Sequence, residues 1–205
     1  FLPGDTYANR LPDPVLQQVE HFNNPGITAN DAFKPVTRYF DRITRPEQII
    51  QSFPAAVQTM LDPADCGPAC ISLSQDIQGQ TFDYPEDFFK EKIHAIRRPR
   101  PDEFQIKEAA EKIKSSKKPI LISGGGVFYS DAMEELSKFA IKHNIPVTQT
   151  VMGYSTMKRD HTHFAGQIGG LGGKNTNSLA KQTDLAIAVG TKLADFTTGS
   201  WANFE

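Results

Sequence analysis

PILISGGGVFYSDAMEEL, residues 119–136, decides the fold, because it carries an apolar run, three consecutive glycines and an acidic periodic segment in that order. Ile120, Leu121 and Ile122 form a short β-favouring run, whereas Met133, Leu136 and Ala140 recur at three- and four-residue spacing. That pattern predicts strand, turn, helix. Asp131 followed by Glu134 resembles a capping box and places the helix start near Asp131. Between them, Gly124, Gly125 and Gly126 allow positive φ and close approach of a ligand or another backbone. They are a possible anion site, because a helix N-terminus attracts a phosphate or carboxylate. They are equally a tight structural turn. A dinucleotide fingerprint needs glycine where Tyr129 stands, and an acid at the end of the next strand, where IPVTQT ends in Thr150. An ordinary NAD site is therefore disfavoured, and with it an NAD dehydrogenase.

The alternation continues outward from this unit. A helix from Phe104 to Lys114 precedes it; a strand from Ile145 to Thr150, a glycine-rich stretch, a helix from Thr176 to Gln182 and a strand from Asp184 to Gly190 follow. Such order predicts an α/β domain with a parallel sheet, its loops after Ser123, Thr150 and Gly190 gathered at the carboxyl edge where ligands bind. Toward the N-terminus, Thr44-Arg45-Pro46-Glu47 reads as a capping box opening a helix from about Arg45 to Leu61, kinked at Pro54. ACISLS after Gly67-Pro68 reads as a buried strand, and Gln75-Asp76 begins the loop at its end. The basic, proline-bearing KEKIHAIRRPRPD reads as a linker. The expected domains are residues 1–89, a linker over 90–102, and residues 103–205.

Composition sets outer limits on function. A chain of 205 residues with 39% hydrophobic and 22% charged content is ordinary for a globular protein, and a net charge of -2 gives no reason to expect nucleic acid or an anionic membrane as partner. No apolar run approaches the roughly twenty residues of a membrane span, and FLPGDTYANR lacks the features of a secretory signal. The expected location is the cytoplasm. Cys66 and Cys70 are too few for a disulfide framework and wrongly spaced for a redox pair, so reduced thiols are expected. His161 and His163 alternate without a third ligand nearby, which favours loop histidines over a metal site.

DAFKPVTRYFDRI, the helix after Thr44 and CGPACISLSQDIQG resemble, in order and spacing, the end of the pyrimidine-binding domain of the thiamine-diphosphate enzymes of the acetolactate synthase type. KKPILISGGG, IPVTQT, FAGQIGGLGGKNTN and QTDLAIAVGTKLADFTTG resemble that family's central Rossmann-like domain. The strings LPGDTYANRLPDPVLQQVE, RITRPEQ, SQDIQGQTFDYPEDFF and DFTTGS are similar to the branch that opens the ring of a cyclic 1,2-dione in inositol breakdown. The resemblance implies an α/β fold in which the C-terminal part of a pyrimidine-binding domain precedes a truncated central domain. It also implies a C–C hydrolase using thiamine diphosphate and Mg²⁺, in which the cofactor acts as electron sink while the ring bond breaks. The family's catalytic glutamate would lie upstream of Phe1 and its Mg²⁺-diphosphate motif beyond Glu205, so this piece is expected to be inactive alone, with no catalytic or metal residue of its own. Gln75 stands where the carboligases have lysine, and Ala194, Asp195 and Phe196 stand where they have an Asp-Asp-Arg run. Both departures disfavour acetolactate synthesis and bound FAD. By matching positions, Gln75, Gln167 and Phe196 fall near the active-site mouth. A homodimer or homotetramer is implied for the longer protein. The competing readings are a nucleotide- or flavin-binding module and an acetolactate synthase-like carboligase.

Overall fold

The computed structural model describes residues 1–11, 23–96 and 98–204. Residues 12–20 of the LPGDTYANRLPDPVLQQVE string, Arg97 in the basic linker and the terminal Glu205 lie outside the described residues. The chain divides into two compact units, Phe1–Arg100 and Pro101–Glu205.

The first unit is built on a three-stranded parallel sheet. Its strands are β1 (Gly4–Asp5), β2 (Tyr39–Ile43) and β3 (Ala69–Ser74), in the order β1-β3-β2, and helix α1 (Ile49–Leu61) connects β2 to β3. β3 is the ACISLS run, the central strand of the sheet: Ala69, Ile71 and Leu73 meet the apolar core, while the buried Ser72 bonds Asp5 and Asn30. Its Ile71 packs with Ile43 of β2, Ala56 of α1 and Ile77 beyond the strand. The expected capping box is corrected in detail. A 3₁₀ turn, Pro46–Gln48, precedes α1, and Gln48 Oε1 rather than Glu47 accepts the Thr44 and Arg45 N–H groups at 2.7 and 3.0 Å. Glu47 turns instead toward Arg45 at 3.8 Å. α1 runs without interruption through Pro54.

The second unit carries a four-stranded parallel sheet. Helix α2 (Glu103–Ser115) leads to β4 (Pro119–Ser123); α3 (Gly125–Tyr129) and α4 (Met133–His143) lead to β5 (Val147–Gln149). The chain continues through β6 (Phe164–Gln167), α5 (Lys174–Lys181), β7 (Leu185–Val189) and α6 (Asp195–Thr198). The strand order is β6-β5-β4-β7. Central β4 carries Ile120, Leu121 and Ile122 at 2% exposure or less, and burying each such side chain contributes about 1.5–3 kcal/mol. Leu121 faces a core with Val127, Leu136, Ala140 and Val147, while Ile120 and Ile122 face Ile168 and Ala180 on the other side.

Two expectations fail here. The triglycine does not form an open loop before a helix capped at Asp131: Gly124 is the N-cap of the short α3, and Asp131 sits between α3 and α4 with φ 52°. Ala132 is the N-cap of α4 and makes no side-chain cap, while Glu134 pairs with Lys138 at 2.7 Å. The acid spacing that resembled a capping box is an i,i+4 ion pair one turn later. The glycine-rich stretch after β5 also contains the unexpected strand β6, joined to β5 through a register shift at Val147/Thr148.

Candidate functional site

In both units the carboxyl edge of the sheet is where chemistry-bearing groups collect. In the second unit the strand order reverses between β4 and β7, the position at which open α/β sheets hold ligands. A cavity of about 480 Å³ occupies it. Gly125 and Gly126 after β4, Val151 and Met152 after β5, Gly190 to Lys192 after β7, and Phe196 of α6 line it, with Tyr129 and Ile168 completing the walls. The lining is mainly apolar and aromatic, and Lys192 is its one cationic side chain.

The triglycine's role follows from what touches it. Gly124 N–H donates to Val189 O at 2.9 Å and Gly126 N–H to Gly190 O at 2.8 Å. A Cβ on Gly126 would lie 2.6 Å from Gly190 Cα, and Gly190 itself has φ +58°. These glycines let the β4 and β7 loops interlock backbone against backbone, which uses two of the three amides that a phosphate would need. The β5 loop is fixed as firmly: Thr150 N–H donates to Ser123 O at 2.9 Å, Ser123 Oγ to Thr156 Oγ1 at 2.6 Å, and Gln149 Nε2 to Met157 O at 2.9 Å, all buried. Val151 and Met152 therefore project from a rigid loop.

Of the residues matched from sequence, Phe196 lines this cavity and is 54% exposed. Its carbonyl accepts the Gly170 N–H at 2.8 Å, which docks the loop after β6 onto α6. Gln167 ends β6 and is half-buried; its neighbour Ile168, not Gln167 itself, reaches the cavity lining. Gln75 belongs to the first unit, exposed at the carboxyl end of β3.

Beneath Gln75 lies a buried polar network that sequence reading missed. Asp5, 1% exposed at the end of β1, accepts from Arg42 Nε at 2.7 Å, from Ser72 Oγ, and from Thr6 N–H at 2.8 Å. Arg42 Nη2 continues to Asp31 Oδ2 at 2.8 Å and Thr28 Oγ1 at 2.9 Å. Burial alone would raise the Asp5 pKa, but donors from Ser72, Arg42 and Thr28 outweigh it and lower it. At Asp31, burial is likewise overcome by Lys34, the Thr28 N–H and Arg42, which hold its carboxyl well below the usual carboxylate range. Arg42, although desolvated, is raised by the same two carboxylates. The available signal was an Asp and an Arg inside segments of strand character.

His161 and His163 are engaged at every ring nitrogen. His161 Nε2 lies 2.9 Å from Ser137 Oγ and its Nδ1 accepts the His163 N–H at 3.1 Å; His163 reaches Asn144 Oδ1 and Thr162 Oγ1 at 3.1 and 3.0 Å. They fasten the chain before β6 to α4. Both cysteines are free thiols, Cys66 exposed and Cys70 buried, and burial pushes the Cys70 pKa up.

Residues 106–205 match the family model for the thiamine pyrophosphate enzyme, central domain. The second unit belongs to that family. Over its whole length the chain is similar to proteins named 3D-(3,5/4)-trihydroxycyclohexane-1,2-dione hydrolase. It is 50% identical to the one from Clostridium perfringens (strain 13 / Type A) over 205 residues and 48% identical to the one from Bacillus subtilis (strain 168) over 208. It covers 100% of itself and 32% of each relative, so it spans about a third of their length. The Rossmann-like, parallel α/β architecture agrees with that membership.

Thiamine diphosphate, which the family name implies, finds little to hold it here. Among the described residues no cluster of three or more His, Cys, Asp or Glu side chains could bind a metal ion. The triglycine amides of Gly124 and Gly126 are already committed to Val189 and Gly190. Also among the described residues, no helix is long and apolar enough to cross a membrane.

Proposed function

We propose that this chain is part of a longer thiamine-diphosphate-dependent hydrolase that opens the ring of trihydroxycyclohexane-1,2-dione by cleaving a C–C bond, and that the piece is inactive alone. The observation that carries this reading is the 50% identity to hydrolases of that name, sustained across all 205 residues and thus across both units. In this reading residues 1–89 are the C-terminal part of a pyrimidine-binding domain and residues 103–205 the central domain. When bound, the cofactor supplies an electron sink for the breaking bond. This chain's own candidates for substrate contact are Gln75, at the carboxyl edge of the first unit, and separately Phe196 and Gln167, at that of the second. Magnesium, a homodimeric or homotetrameric assembly and a cytoplasmic location belong to the same proposal.

The test is an assay of the longer protein for ring opening, followed by appearance of the open-chain acid. Activity that depends on thiamine diphosphate and Mg²⁺ is expected; turnover after complete cofactor removal would refute the proposal.

A second reading, a nucleotide- or flavin-binding module, is favoured by the apolar cavity at the β4/β7 reversal. Calorimetric titration of the chain with ADP, FAD and NAD separates the two. Tight NAD binding would count against the hydrolase reading, and tight ADP or FAD binding would establish the module.

A further inference from the structure

The carboxyl edge of the first unit carries a clamp whose purpose the fold does not explain. Gln75 leaves β3 with its N–H bound to Asp5 O at 3.2 Å. The next residue, Asp76, reaches back to the N-terminal segment: Oδ1 accepts the Ala8 N–H at 2.8 Å and Oδ2 the Asn9 N–H at 3.2 Å. Those amides belong to the two central residues of a turn closed by Arg10 N–H donating to Tyr7 O at 3.0 Å. A carboxylate facing two adjacent turn amides is a strong, directional anchor, because charge-assisted hydrogen bonds are about twice as strong as neutral ones. β1 pairs with β3 over only two residues, so it fixes little beyond Asp5. The Tyr7–Arg10 turn is held where it is by Asp76.

The result is that the turn's half-buried Ala8 lies on the core while Asn9 and Arg10 are exposed, held through Asp76 to the strand end that carries the exposed Gln75. Asn9 Oδ1 accepts the Leu11 N–H at 2.7 Å, which orients the amide of this exposed side chain. Gln75 and Asn9 together present amide donors and acceptors suited to a small ring bearing several hydroxyl and carbonyl oxygens. An apolar substrate would gain nothing from them.

We propose that Asp76 is a positioning residue that holds the Tyr7–Arg10 turn against Gln75, so that Asn9 and Gln75 form a polar specificity wall for a polyhydroxylated cyclic substrate. This inference rests on the reading above that Gln75 stands at the substrate mouth.

The test uses the longer, cofactor-loaded enzyme and four variants: Gln75→Ala, Asn9→Ala, Asp76→Ala and Asp76→Asn. Gln75→Ala, Asn9→Ala and Asp76→Ala are expected to raise KM roughly tenfold, the effect of losing about one hydrogen bond, with kcat changed less than twofold. Asp76→Asn, which keeps one acceptor oxygen for the turn amides, should recover part of the KM. A merely structural Asp76 would lower the folded fraction without separating KM from kcat. If Gln75→Ala leaves both constants unchanged, the placement of the mouth is wrong. If Gln75→Ala raises KM but Asp76→Ala and Asn9→Ala do not, the mouth stands and the clamp inference is overturned. Should Asp76→Ala not fold, the exposed Asn9→Ala and the milder Asp76→Asn decide the matter by the same constants.

Discussion

Replacing Arg42 by methionine tests the buried network of the first unit most directly. The guanidinium is the shared partner of Asp5, whose side chain is 0% exposed, and of Asp31, at 2.7 and 2.8 Å. Removing one partner of a buried ion pair leaves an uncompensated charge and costs about 3–5 kcal/mol. Asp5 keeps Ser72 and Thr6 as donors, and Asp31 keeps Lys34, so a value near the lower end, about 3 kcal/mol, is expected. That is a large share of the about 5–15 kcal/mol that stabilises a domain. The pH dependence sharpens the test. In the native chain both aspartates are held below the unfolded value of about 3.9, so their contribution is complete above it and is lost as the pH falls through the folded values. Without Arg42, burial of Asp5 is opposed by Ser72, Thr28 and the Thr6 N–H alone, so its folded pKa moves up toward the unfolded value. The variant should lose less stability on acidification than the native protein, so the difference between them should narrow as the pH falls below about 4. Native-state hydrogen exchange of the Ile71 and Leu73 amides, which donate to Phe1 O and Pro3 O, reads the opening of this sheet. A loss under about 1 kcal/mol at pH 7, or a difference that does not change with pH, would refute the reasoning.

Gly126→Ala places a methyl 2.6 Å from Gly190 Cα and should cost the second unit about 1–3 kcal/mol. Gly79→Ala, with nothing within 4 Å, should stay within about 0.5 kcal/mol; thermal melts of both variants, followed for Gly126→Ala by the fluorescence of Trp201, check the contrast. Asp184, held down to about 2 by Ser116 Oγ and the Lys117 and Lys118 amides, contributes stability above the unfolded pKa and loses it as the pH falls toward 2. Asp184→Asn should therefore flatten the acid side of the second unit's stability curve, measured by urea titration from pH 5 to 2.5. Trypsin should cut first after the exposed Lys90 and Lys92, because Arg98 and Arg100 each precede a proline, and mass spectrometry should then find one fragment for each compact unit.

What was legible in the sequence was set by how each element is stabilised. β4 stood out as an apolar run because a central parallel strand covered on both faces needs no polar alternation, whereas β7, LAIAV, was legible by its apolar composition although it is a half-buried edge strand. α4 was legible through Met133, Leu136 and Ala140, and its end at His143 is followed by Asn144 in the left-handed conformation that closes helices. β6 was not legible: its four residues, FAGQ, include Gly166 at φ +106°, and the strand is held by pairing to β5 across an irregular register rather than by its own propensity. β1 is two residues long, and β2, YFDRI, carries an Arg42 that makes sense only once Asp5 and Asp31 converge on it, and an Asp41 that accepts the Arg42 N–H.

The triglycine shows the same limit at the candidate site. Its composition announced close approach, and close approach is what the structure has, but sequence spacing could not say whether the approaching group was a ligand or the chain's own backbone. The partner is Gly190, sixty-four positions after Gly126 by residue number. Both are glycines because each occupies the space that the other's Cβ would need. Two loops so joined border the cavity and commit the Gly126 amide to Gly190. Recognition there falls to side chains on its rim, Tyr129, Met152, Lys192 and Phe196, rather than to a phosphate-binding backbone. A ligand held in this way would be discriminated by its apolar surface and a single negative charge, so replacing Lys192 should alter its selection more than replacing Gly125.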